Sequence, residues 1–472
     1  MFSYPDASRL LETEIFFPNP DLTFSGGSID TRTLVPGDLF IALKGSRQDG
    51  HAYLEEAFRK KASGALISRL VFECQRGRFE KGRGLFRNLL PVPDPEKALQ
   101  ALASWNRYQQ RIPCVGITGS IGKTSTKEFL HFLMSRKFRV LSNQGNFNNH
   151  LGLPLTLLRL SSEDEMCIAE LGANHAGEIR GLARILQPTM GVITQVAPVH
   201  LEGFGSFEAI YAAKLELFEE LPAGSPAVIP DNNPMLIQRS RDLKLDLRLV
   251  GFSPQADYFL SDVAVSGHWV HFKFNRKWSF AFPGIAPFLA INAGMALACA
   301  CEMGLDLDEI PEVWNDFRPL HGRFELRDLG NGIQVIYDGY NASPHAFDKA
   351  LEVFESFPVS GKKFVVFSDM LELGSEEKKF HQDLGRKLAL GHFDVVLAYG
   401  KQSLAAIEVL VSEDRHCTAI HFETSRDVAS CLQAMLRPGD CVLLKASRGM
   451  KIEEVLNHLS DRFSKAVDAG MA

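Results

Sequence analysis

Apolar residues recur in short unbroken runs along the middle of the chain. Three such runs are Ile112–Thr118, Met166–Glu170 and Met190–Gln195, and each stands next to a stretch with helical periodicity. A run without apolar–polar alternation is typical of a strand buried on both faces, because helices cover both sides of a parallel sheet. The pattern therefore predicts an α/β fold built on parallel strands, with helices in the crossovers.

Residues 323–472 show the same alternation of apolar runs and helical stretches. Helical segments separate most of five predicted strands, which are Gln334–Tyr337, Phe364–Ser368, Val395–Tyr399, Ala419–Phe422 and Cys441–Lys445. This order predicts a second open sheet of the nucleotide-binding, Rossmann-like type.

The pattern is less regular before residue 110. A strand is predicted at Asp38–Leu43 and a helix at Tyr53–Lys61, with a glycine-rich basic turn between them. The basic segment Gln75–Gly84 is interpreted as a solvated surface loop, with contact to substrate phosphates as the alternative. A small α/β region is therefore expected at the start of the chain.

Length, charge and cysteine content narrow the class of protein. A chain of 472 residues exceeds one ordinary core, so its length indicates two to four domains, and the pattern along the chain divides it into three, at residues 1–110, 111–322 and 323–472. The net charge of −6 argues against a nucleic-acid-binding protein. The eight cysteines include no Cys-x-x-Cys pair, and neither a membrane-spanning apolar stretch nor a signal-peptide pattern is present. We expect a cytoplasmic protein without membrane insertion.

The strongest local signal is the segment from Thr118 to Thr126, Thr-Gly-Ser-Ile-Gly-Lys-Thr-Ser-Thr, between a predicted strand and a predicted helix. Glycines let backbone N–H groups turn towards phosphate oxygens, and the helix N-terminus adds positive potential. The lysine can neutralise terminal phosphates, and the threonine after it can ligate Mg²⁺. Ile117 stands where the full phosphate-loop pattern has its first glycine. The predicted nucleotide-binding residues here are Gly119, Ser120, Ile121, Gly122, Lys123, Thr124 and Ser125.

Three further residues have chemistry suited to a nucleotide site. Glu170 ends a predicted parallel strand, at the edge where such sheets bind ligands, and is a candidate Mg²⁺ ligand together with Thr124. His200 follows another strand end and is a candidate ligand for a second metal ion. Lys214 lies in a helical run whose other charges are acidic. An alternative stays open for each of the three: a solvated carboxylate, a packing histidine and a surface lysine.

Polar turns near these strand ends are candidates for substrate binding. One is the segment Asn143–His150, Asn-Gln-Gly-Asn-Phe-Asn-Asn-His, and another is the turn after Glu170, which carries Asn174 and His175. Such a density of amides suits a substrate rich in hydrogen-bonding groups, although a plain loop has the same composition.

Taken together, these motifs resemble the Mur ligases of peptidoglycan synthesis. The matching segments span nearly the whole chain and are Ser28–Arg32, Gly37–Leu43, Thr118–Thr124, Asn146–Pro154, Glu170–His175, His200–Gly205, Tyr340–Pro344, Asp369–Gly374 and Lys445–Arg448. Within the family, the signatures most resemble those of the ligases that add D-alanyl-D-alanine. The resemblance implies that ATP is used to join D-alanyl-D-alanine to UDP-N-acetylmuramoyl-tripeptide through an acyl phosphate. The products would be the UDP-linked pentapeptide, ADP and phosphate.

The resemblance also implies roles for individual residues. Thr124 and Glu170 would ligate one Mg²⁺ and His200 a second, while Lys214 would be carbamylated to supply a further metal-binding carboxylate. Lys123, Lys214 and His200 would be the catalytic residues. Further nucleotide contacts would be Asn292, Arg323, Asp338, Tyr340 and Asn341. The implied substrate contacts, which include the uridine diphosphate site of the first domain, are Ser28, Thr31, Arg32, Lys44, Gly45, Asp49, His51, Asn146, Asn148, Asn149, Asn174, His175 and Arg448.

Some positions depart from the family pattern, and alternative functions stay open. Departures that leave the nucleotide contacts of the last two domains undecided are Tyr337, Gly339, Ser343, Ser368 and Phe288. The nearest alternatives are a sister ligase that adds another amino acid and the related folylpolyglutamate synthetase. A phosphate-loop NTPase switch is the alternative from a different class. We expect small-molecule substrates, no nucleic-acid partner and a monomer.

Overall fold

The computed structural model describes residues 2–197, 201–318, 320–413 and 416–460. These residues form a mixed α/β fold with mainly parallel sheets, so the predicted fold class is confirmed. None of the helices in these ranges has the length and apolarity needed to cross a membrane.

The chain divides into two compact units. The first combines residues up to Val196 with Glu208–Val250 and Met295–Leu305. The second combines Ala197–Phe207, Gly251–Gly294 and the residues from Asp306 on. The division into domains at residues 110 and 322 stays a prediction.

A four-stranded parallel sheet organises the beginning of the chain. The elements there are β1 (Phe2–Ser3), α1 (Tyr4–Leu10), β2 (Thr23–Phe24), β3 (Gly27–Ser28), β4 (Leu39–Ile41), a 3₁₀ turn (Gly50–Tyr53), α2 (Leu54–Arg59), β5 (Gly64–Ser68), α3 (Arg69–Cys74), α4 (Arg76–Lys81), β6 (Leu89–Val92) and α5 (Pro95–Gln110). Strands β3 to β6 lie side by side in chain order, and β1 pairs with β2 antiparallel. Leu39 and Phe40, adjacent in β4, belong to different hydrophobic clusters, so both faces of the sheet are covered.

The segment Gln75–Gly84, interpreted from sequence as a loop, is mostly helical, because α4 covers Arg76–Lys81. The ring of Phe79 is fully buried. Its centroid lies 5.6 Å from that of Phe72 and 5.2 Å from that of Phe86. The loop interpretation is therefore wrong, because one buried aromatic side chain holds an otherwise polar segment against the core.

Six parallel strands form the core of the middle sheet. The elements are β7 (Cys114–Thr118), α6 (Lys123–Met134), β8 (Val140–Ser142), α7 (Gly152–Leu157), β9 (Met166–Glu170), α8 (Glu178–Leu186), β10 (Met190–Ile193), α9 (Leu201–Phe204), α10 (Phe207–Glu219), β11 (Pro226–Pro230), α11 (Pro234–Arg241) and β12 (Asp246–Gly251). The strand order is β12-β11-β10-β7-β9-β8. The three strands predicted from apolar runs are confirmed as β7, β9 and β10.

An antiparallel meander follows, which the apolar runs did not predict. Its elements and the next helix are β13 (Tyr258–Ser266), β14 (Trp269–Phe274), β15 (Trp278–Pro283) and α12 (Leu289–Glu302). Trp314 is fully buried beside the meander, with its ring centroid 5.5 Å from that of Phe280 and 6.0 Å from that of Phe282. Aromatic packing on one face therefore stabilises these strands.

The last sheet has six strands, and all but one are parallel. The elements are a 3₁₀ turn (Leu307–Glu309), β16 (Glu325–Asp328), β17 (Gln334–Asp338), α13 (Pro344–Ser356), β18 (Lys363–Ser368), a 3₁₀ turn (Gly374–Glu376), α14 (Glu377–Leu390), β19 (Val395–Tyr399), α15 (Ser403–Glu413), β20 (Thr418–Phe422), α16 (Ser425–Met435), β21 (Cys441–Lys445) and a 3₁₀ turn (Arg448–Met450). The order is β16-β17-β21-β18-β19-β20, with only β16 antiparallel to its neighbour. The five strands predicted here are confirmed.

Candidate active site

The phosphate loop joins the end of β7 to the start of α6. Gly119 and Gly122 have φ angles of +143° and +91°, which L side chains rarely adopt. A Cβ on Gly119 would also lie 2.0 Å from Oγ1 of Thr194. Nζ of Lys123 donates to the carbonyls of Gly119 (2.8 Å) and Ser120 (3.2 Å). The loop therefore carries its lysine charge directly above its own backbone, at a helix N-terminus.

The two residues after strand β10 hold the loop from the side. The N–H groups of Ser120 and Ile121 both donate to the carbonyl of Gln195, at 2.8 and 3.2 Å. Oγ1 of Thr194 donates to the carbonyl of Ile121 at 2.7 Å. These contacts hold the first half of the loop, and the positive potential that favours a phosphate lies at the N-terminus of α6.

Glu170, the last residue of β9, lies on the strand next to β7. Its side chain is buried, and Oε1 accepts a hydrogen bond from Nδ2 of Asn148 at 2.7 Å. The other oxygen, Oε2, is also buried and accepts no hydrogen bond from the described residues. A buried carboxylate oxygen without a partner costs free energy, so the geometry fits a site that takes a cation.

Mg²⁺ fits this donor set because it prefers oxygen ligands and retains several waters. Within the described ranges, no group of three or more His, Cys, Asp or Glu side chains could hold a metal ion by itself. The Thr124 hydroxyl stays the predicted second protein ligand of an ion on Glu170. His200, the candidate ligand of a second ion, lies outside the described residues.

Lys214 lies in α10 and is almost fully buried, so the surface-lysine alternative is wrong. Burial and, to a smaller extent, the positive charge of Lys123 lower the pKa of its ammonium group to about 7. The carboxylates of Glu216, Glu178 and Glu170 oppose that decrease. An amine with this pKa is substantially neutral at physiological pH, and the neutral amine is the nucleophilic form.

Two glutamates that the sequence analysis missed organise the turn after β9. Glu178 accepts hydrogen bonds from the N–H groups of Asn174 (2.8 Å) and His175 (3.2 Å). Burial raises the pKa of Glu178, but these hydrogen bonds outweigh it, and the net pKa is lowered. Glu216 accepts from the N–H of Gly177 at 2.6 Å, just before α8. Only Glu178 had a signal in the sequence, as a glutamate in the first turn of a helix, whereas Glu216 lies near the end of α10.

The three asparagines that were predicted to contact substrate in the segment Asn143–His150 lie in different environments. Asn148 bonds to Glu170, as described above. Oδ1 of Asn149 accepts from the N–H of Gly152 at 2.8 Å, at the start of α7. Asn146 is exposed. A contact of these side chains with substrate stays a prediction, but two of the three also have a role within the fold.

The first candidate contact group for uridine diphosphate is a tight turn. Oγ of Ser28 donates to the carbonyl of Asp30 at 2.8 Å, and Thr31, which is buried, accepts from Nζ of Lys60 at 2.9 Å through its carbonyl. The exposed guanidinium of Arg32 pairs with the carboxylate of Asp30 at 2.6 Å. Arg32 is therefore the predicted contact here that presents a full positive charge to solvent.

The second candidate group is the turn that closes on His51. Lys44 and Asp49 form a backbone bridge around Gly45. Nε2 of His51 accepts from the N–H of Ser68 at 2.9 Å, so the proton lies on Nδ1, which donates to Oδ1 of Asp49 at 2.6 Å. Both ring nitrogens are used within the protein, and the His51 ring therefore fixes the turn instead of offering a hydrogen bond to a ligand.

Two arginines flank one aromatic ring in the last region. The guanidinium of Arg323 lies 4.0 Å from the centroid of Tyr340, and that of Arg448 lies 5.4 Å from it. The structure thus brings together three of the residues predicted to contact nucleotide or substrate. Asn292, in α12, is buried.

A buried ion pair includes Asp338, which stands close to Tyr340 in sequence. Nζ of Lys445 contacts Oδ2 of Asp338 at 2.6 Å, and both side chains are buried. Lys445 also donates to the carbonyl of Asn341 at 3.1 Å. Lys445 was not among the predicted contacts, although it is the first residue of the matching segment Lys445–Arg448. It links the ends of β17 and β21.

Residues that depart from the family pattern have structural roles. Phe288 packs edge-on against Phe324, with centroids 5.0 Å apart. Oγ of Ser343 accepts from a backbone N–H in the first turn of α13 and so caps that helix. Gly339 makes room for the ring of Tyr337, because a Cβ there would lie 2.4 Å from that ring.

The sheet edge with its phosphate loop, buried carboxylate and buried lysine defines a phosphate-loop, nucleotide-binding α/β enzyme. Residues 117–300 match the Mur ligase middle domain, and residues 322–448 match the glutamate ligase domain of Mur ligases. The UDP-N-acetylmuramoyl-tripeptide–D-alanyl-D-alanine ligase of Bacillus subtilis (strain 168) is 32% identical over 92% of this chain and 93% of its own length. The chain therefore belongs to the Mur ligase family, which removes the alternative of an NTPase switch.

Solved structures agree with this placement. The crystal structure of MurF from Acinetobacter baumannii is 25% identical and superposes with a TM-score of 0.83 over 98% of this chain and 99% of its own. MurF ligase from Thermotoga maritima in complex with ADP is 27% identical, with a TM-score of 0.78 over 94% of this chain and 99% of its own. The similarity thus extends over nearly the whole chain.

Proposed function

We propose that this enzyme uses ATP to join D-alanyl-D-alanine to UDP-N-acetylmuramoyl-tripeptide. The observation that carries the proposal is the identity of 32% over 92% of the chain with a ligase named for this reaction. The geometry supports it, because a loop for phosphates, a carboxylate with an unpartnered oxygen and a buried, low-pKa lysine belong to one compact unit.

ATP and Mg²⁺ bind at the carboxyl edge of the middle sheet. The first turn of α6 and Lys123 hold the phosphates, and Thr124 and Glu170 hold one Mg²⁺ ion. His200 and a modified Lys214 hold a second. Bound Mg²⁺ supplies positive charge that offsets the repulsion between phosphates and the substrate carboxylate. Further contacts of the nucleotide are Asn292, Arg323, Asp338, Tyr340 and Asn341.

Ligation proceeds in two steps. An oxygen of the tripeptide carboxylate attacks the γ-phosphorus, the bond to ADP breaks, and an acyl phosphate forms. The dipeptide amine then attacks the acyl carbon, phosphate leaves, and the amine loses a proton. Lys123 stabilises the charge that develops on the transferred phosphoryl group. Holding three substrates in one geometry supplies much of the remaining acceleration.

Lys214 is carbamylated in the working enzyme. Its neutral nitrogen attacks CO₂, an N–C bond forms, and a proton leaves, so a cationic group becomes an anionic oxygen ligand. The low pKa of Lys214 supports this step, because the ordinary protonated lysine has no free electron pair for the attack.

The other substrates bind on the remaining predicted residues. The region up to residue 110 holds uridine diphosphate through the turns at Ser28–Arg32 and Lys44–His51. Asn146, Asn149, Asn174 and His175 contact the peptide, and Arg448 lies near the incoming dipeptide. The enzyme works as a monomer in the cytoplasm, where ATP is supplied, with domains divided at residues 110 and 322.

The test is ATP-dependent phosphate release with UDP-N-acetylmuramoyl-tripeptide as acceptor. D-Alanyl-D-alanine is compared with diaminopimelate, L-lysine and no amine, and the product is weighed by mass spectrometry. We expect phosphate release to require the dipeptide and the product to be the UDP-linked pentapeptide. Release that requires another amine would assign the chain to a sister ligase instead.

A further inference from the structure

We infer that Asn148 is a positioning residue, which fixes the Glu170 carboxylate so that Oε2 is the oxygen presented to a metal ion. The inference rests on the proposed role of Glu170 as a Mg²⁺ ligand. It goes beyond that role because it assigns different functions to the two oxygens and names the group that separates them.

The two oxygens of Glu170 differ in their surroundings. Oε1 accepts from Nδ2 of Asn148 at 2.7 Å, whereas Oε2 is buried without a hydrogen bond from the described residues. A carboxylate only accepts hydrogen bonds, so the NH₂ end of the amide must face it. Asn148 therefore holds the carboxylate by one oxygen and leaves the other for a cation.

The backbone of Glu170 is held by a second asparagine. Oδ1 of Asn143 accepts from the N–H of Glu170 at 2.9 Å, and Nδ2 of Asn143 donates to the carbonyl of Glu170 at 2.9 Å. Nζ of Lys127, a fully buried side chain, donates to the carbonyl of Asn143 at 2.5 Å. Lys127 lies in α6, so the helix that begins at the phosphate loop also supports the metal-binding carboxylate.

A glycine makes room for the positioning amide. A Cβ on Gly172 would lie 2.9 Å from Cγ, Nδ2 and Oδ1 of Asn148, which is closer than real contacts allow. The N–H of Gly172 also donates to the carbonyl of Asn148 at 2.8 Å. Replacing this glycine would displace the amide of Asn148 without changing its chemistry.

Groups that orient a metal ligand typically change metal affinity by about 10- to 100-fold. In the full chain, we expect Asn148→Ala to raise the Mg²⁺ concentration for half-maximal ATP binding by at least about tenfold. Gly172→Ala should change it in the same direction. Binding is measured by calorimetry without acceptor or amine, so the result does not depend on ligation.

A matched control is Asn106→Ala. Asn106 is also a buried asparagine, and its Nδ2 donates to the carbonyls of Leu157 and Leu160, each at 2.8 Å. This variant should lose stability to heat and keep the wild-type Mg²⁺ requirement. It separates a general loss of packing from loss of carboxylate orientation.

The decisive comparison uses the Glu170→Gln background. There, Asn148→Ala should raise the Mg²⁺ requirement no further, because the group that it positions is gone. An equal rise in both backgrounds, or an unchanged requirement in Asn148→Ala and Gly172→Ala, would overturn the inference. If Glu170→Gln itself leaves the requirement unchanged, the metal role of Glu170 fails first. If Asn148→Ala does not fold, Gly172→Ala decides.

Discussion

The middle and last sheets both bury charged side chains at the carboxyl ends of their strands, but they treat these charges differently. In the last sheet, Asp338 and Lys445 lie 2.6 Å apart and neutralise each other. At the middle sheet, Glu170 keeps one buried oxygen that accepts no hydrogen bond from the described residues, and burial lowers the pKa of Lys214 in helix α10. The comparison indicates that a satisfied buried pair maintains structure, whereas a buried carboxylate oxygen such as Oε2 of Glu170 is held ready for a ligand.

The largest expected effect concerns the buried ion pair of the last sheet. Lys445→Met should lower the free energy of unfolding by about 3–5 kcal/mol, because it leaves the Asp338 carboxylate buried without its partner. Urea unfolding followed by circular dichroism measures the change. The control is Lys387→Met, because Lys387 forms an exposed ion pair with Asp348. It should cost less than about 1 kcal/mol. Equal costs for the two variants would break the comparison.

The next largest effect concerns Lys123 of the phosphate loop and the rate of turnover. Lys123→Met should lower kcat for phosphate release by about 100- to 1000-fold, because it removes a preorganised charge at the transferred phosphoryl group. Its free energy of unfolding should fall less than that of Lys445→Met, because the contacts of Nζ with the carbonyls of Gly119 and Ser120 lie within the loop itself. Parallel assays of turnover and urea unfolding check both statements. A variant that loses stability but retains turnover would contradict them.

The smallest predicted effect concerns pH and the stability contributed by Lys214. Its pKa is about 7 in the folded chain, against 10.5 as the ordinary value expected when unfolded. Between these values the unfolded chain binds the extra proton, so the free energy of unfolding rises with pH. The contribution of this group has a slope of up to about 1.4 kcal/mol per pH unit.

Urea unfolding in CO₂-free buffer, at several pH values from neutral to alkaline, measures this slope. The Lys214→Met variant should show a smaller rise with pH than the wild type, because it has no proton to release on folding. Identical slopes would show that Lys214 keeps an ordinary pKa in the folded enzyme, and the contrast between the two sheets would then rest on Glu170 alone.

Local patterns predicted the parallel strands well, because a strand buried on both faces is apolar at every position. They failed where tertiary contacts decide. The helix Arg76–Lys81 depends on burial of Phe79 against Phe72 and Phe86, which no local pattern reveals. The meander was missed although Trp269–Phe274 alternates apolar and polar residues, the ordinary signal of an antiparallel strand.

The candidate site shows the same limit. The phosphate loop and Glu170 were predicted because their chemistry follows from local order: strand, glycines, helix. The bond from Asn148 to Glu170 and that from Gly177 to Glu216 join residues far apart in sequence. His51 was predicted as a ligand contact, but its bonds to Asp49 and Ser68 give the ring a structural role that only the fold defines.

The position of β21 has a consequence for folding of the chain during its synthesis on the ribosome. This strand follows every other strand of the described residues in sequence, yet it lies between β17 and β18. While the ribosome is still making residues 339–440, the edges of β17 and β18 that will receive it have no partner. Exposed edges of this kind attract other chains, and pairing across a long separation is slow. A nascent chain that stalls before Cys441 would therefore need chaperones to shield both edges, or proteases to remove it.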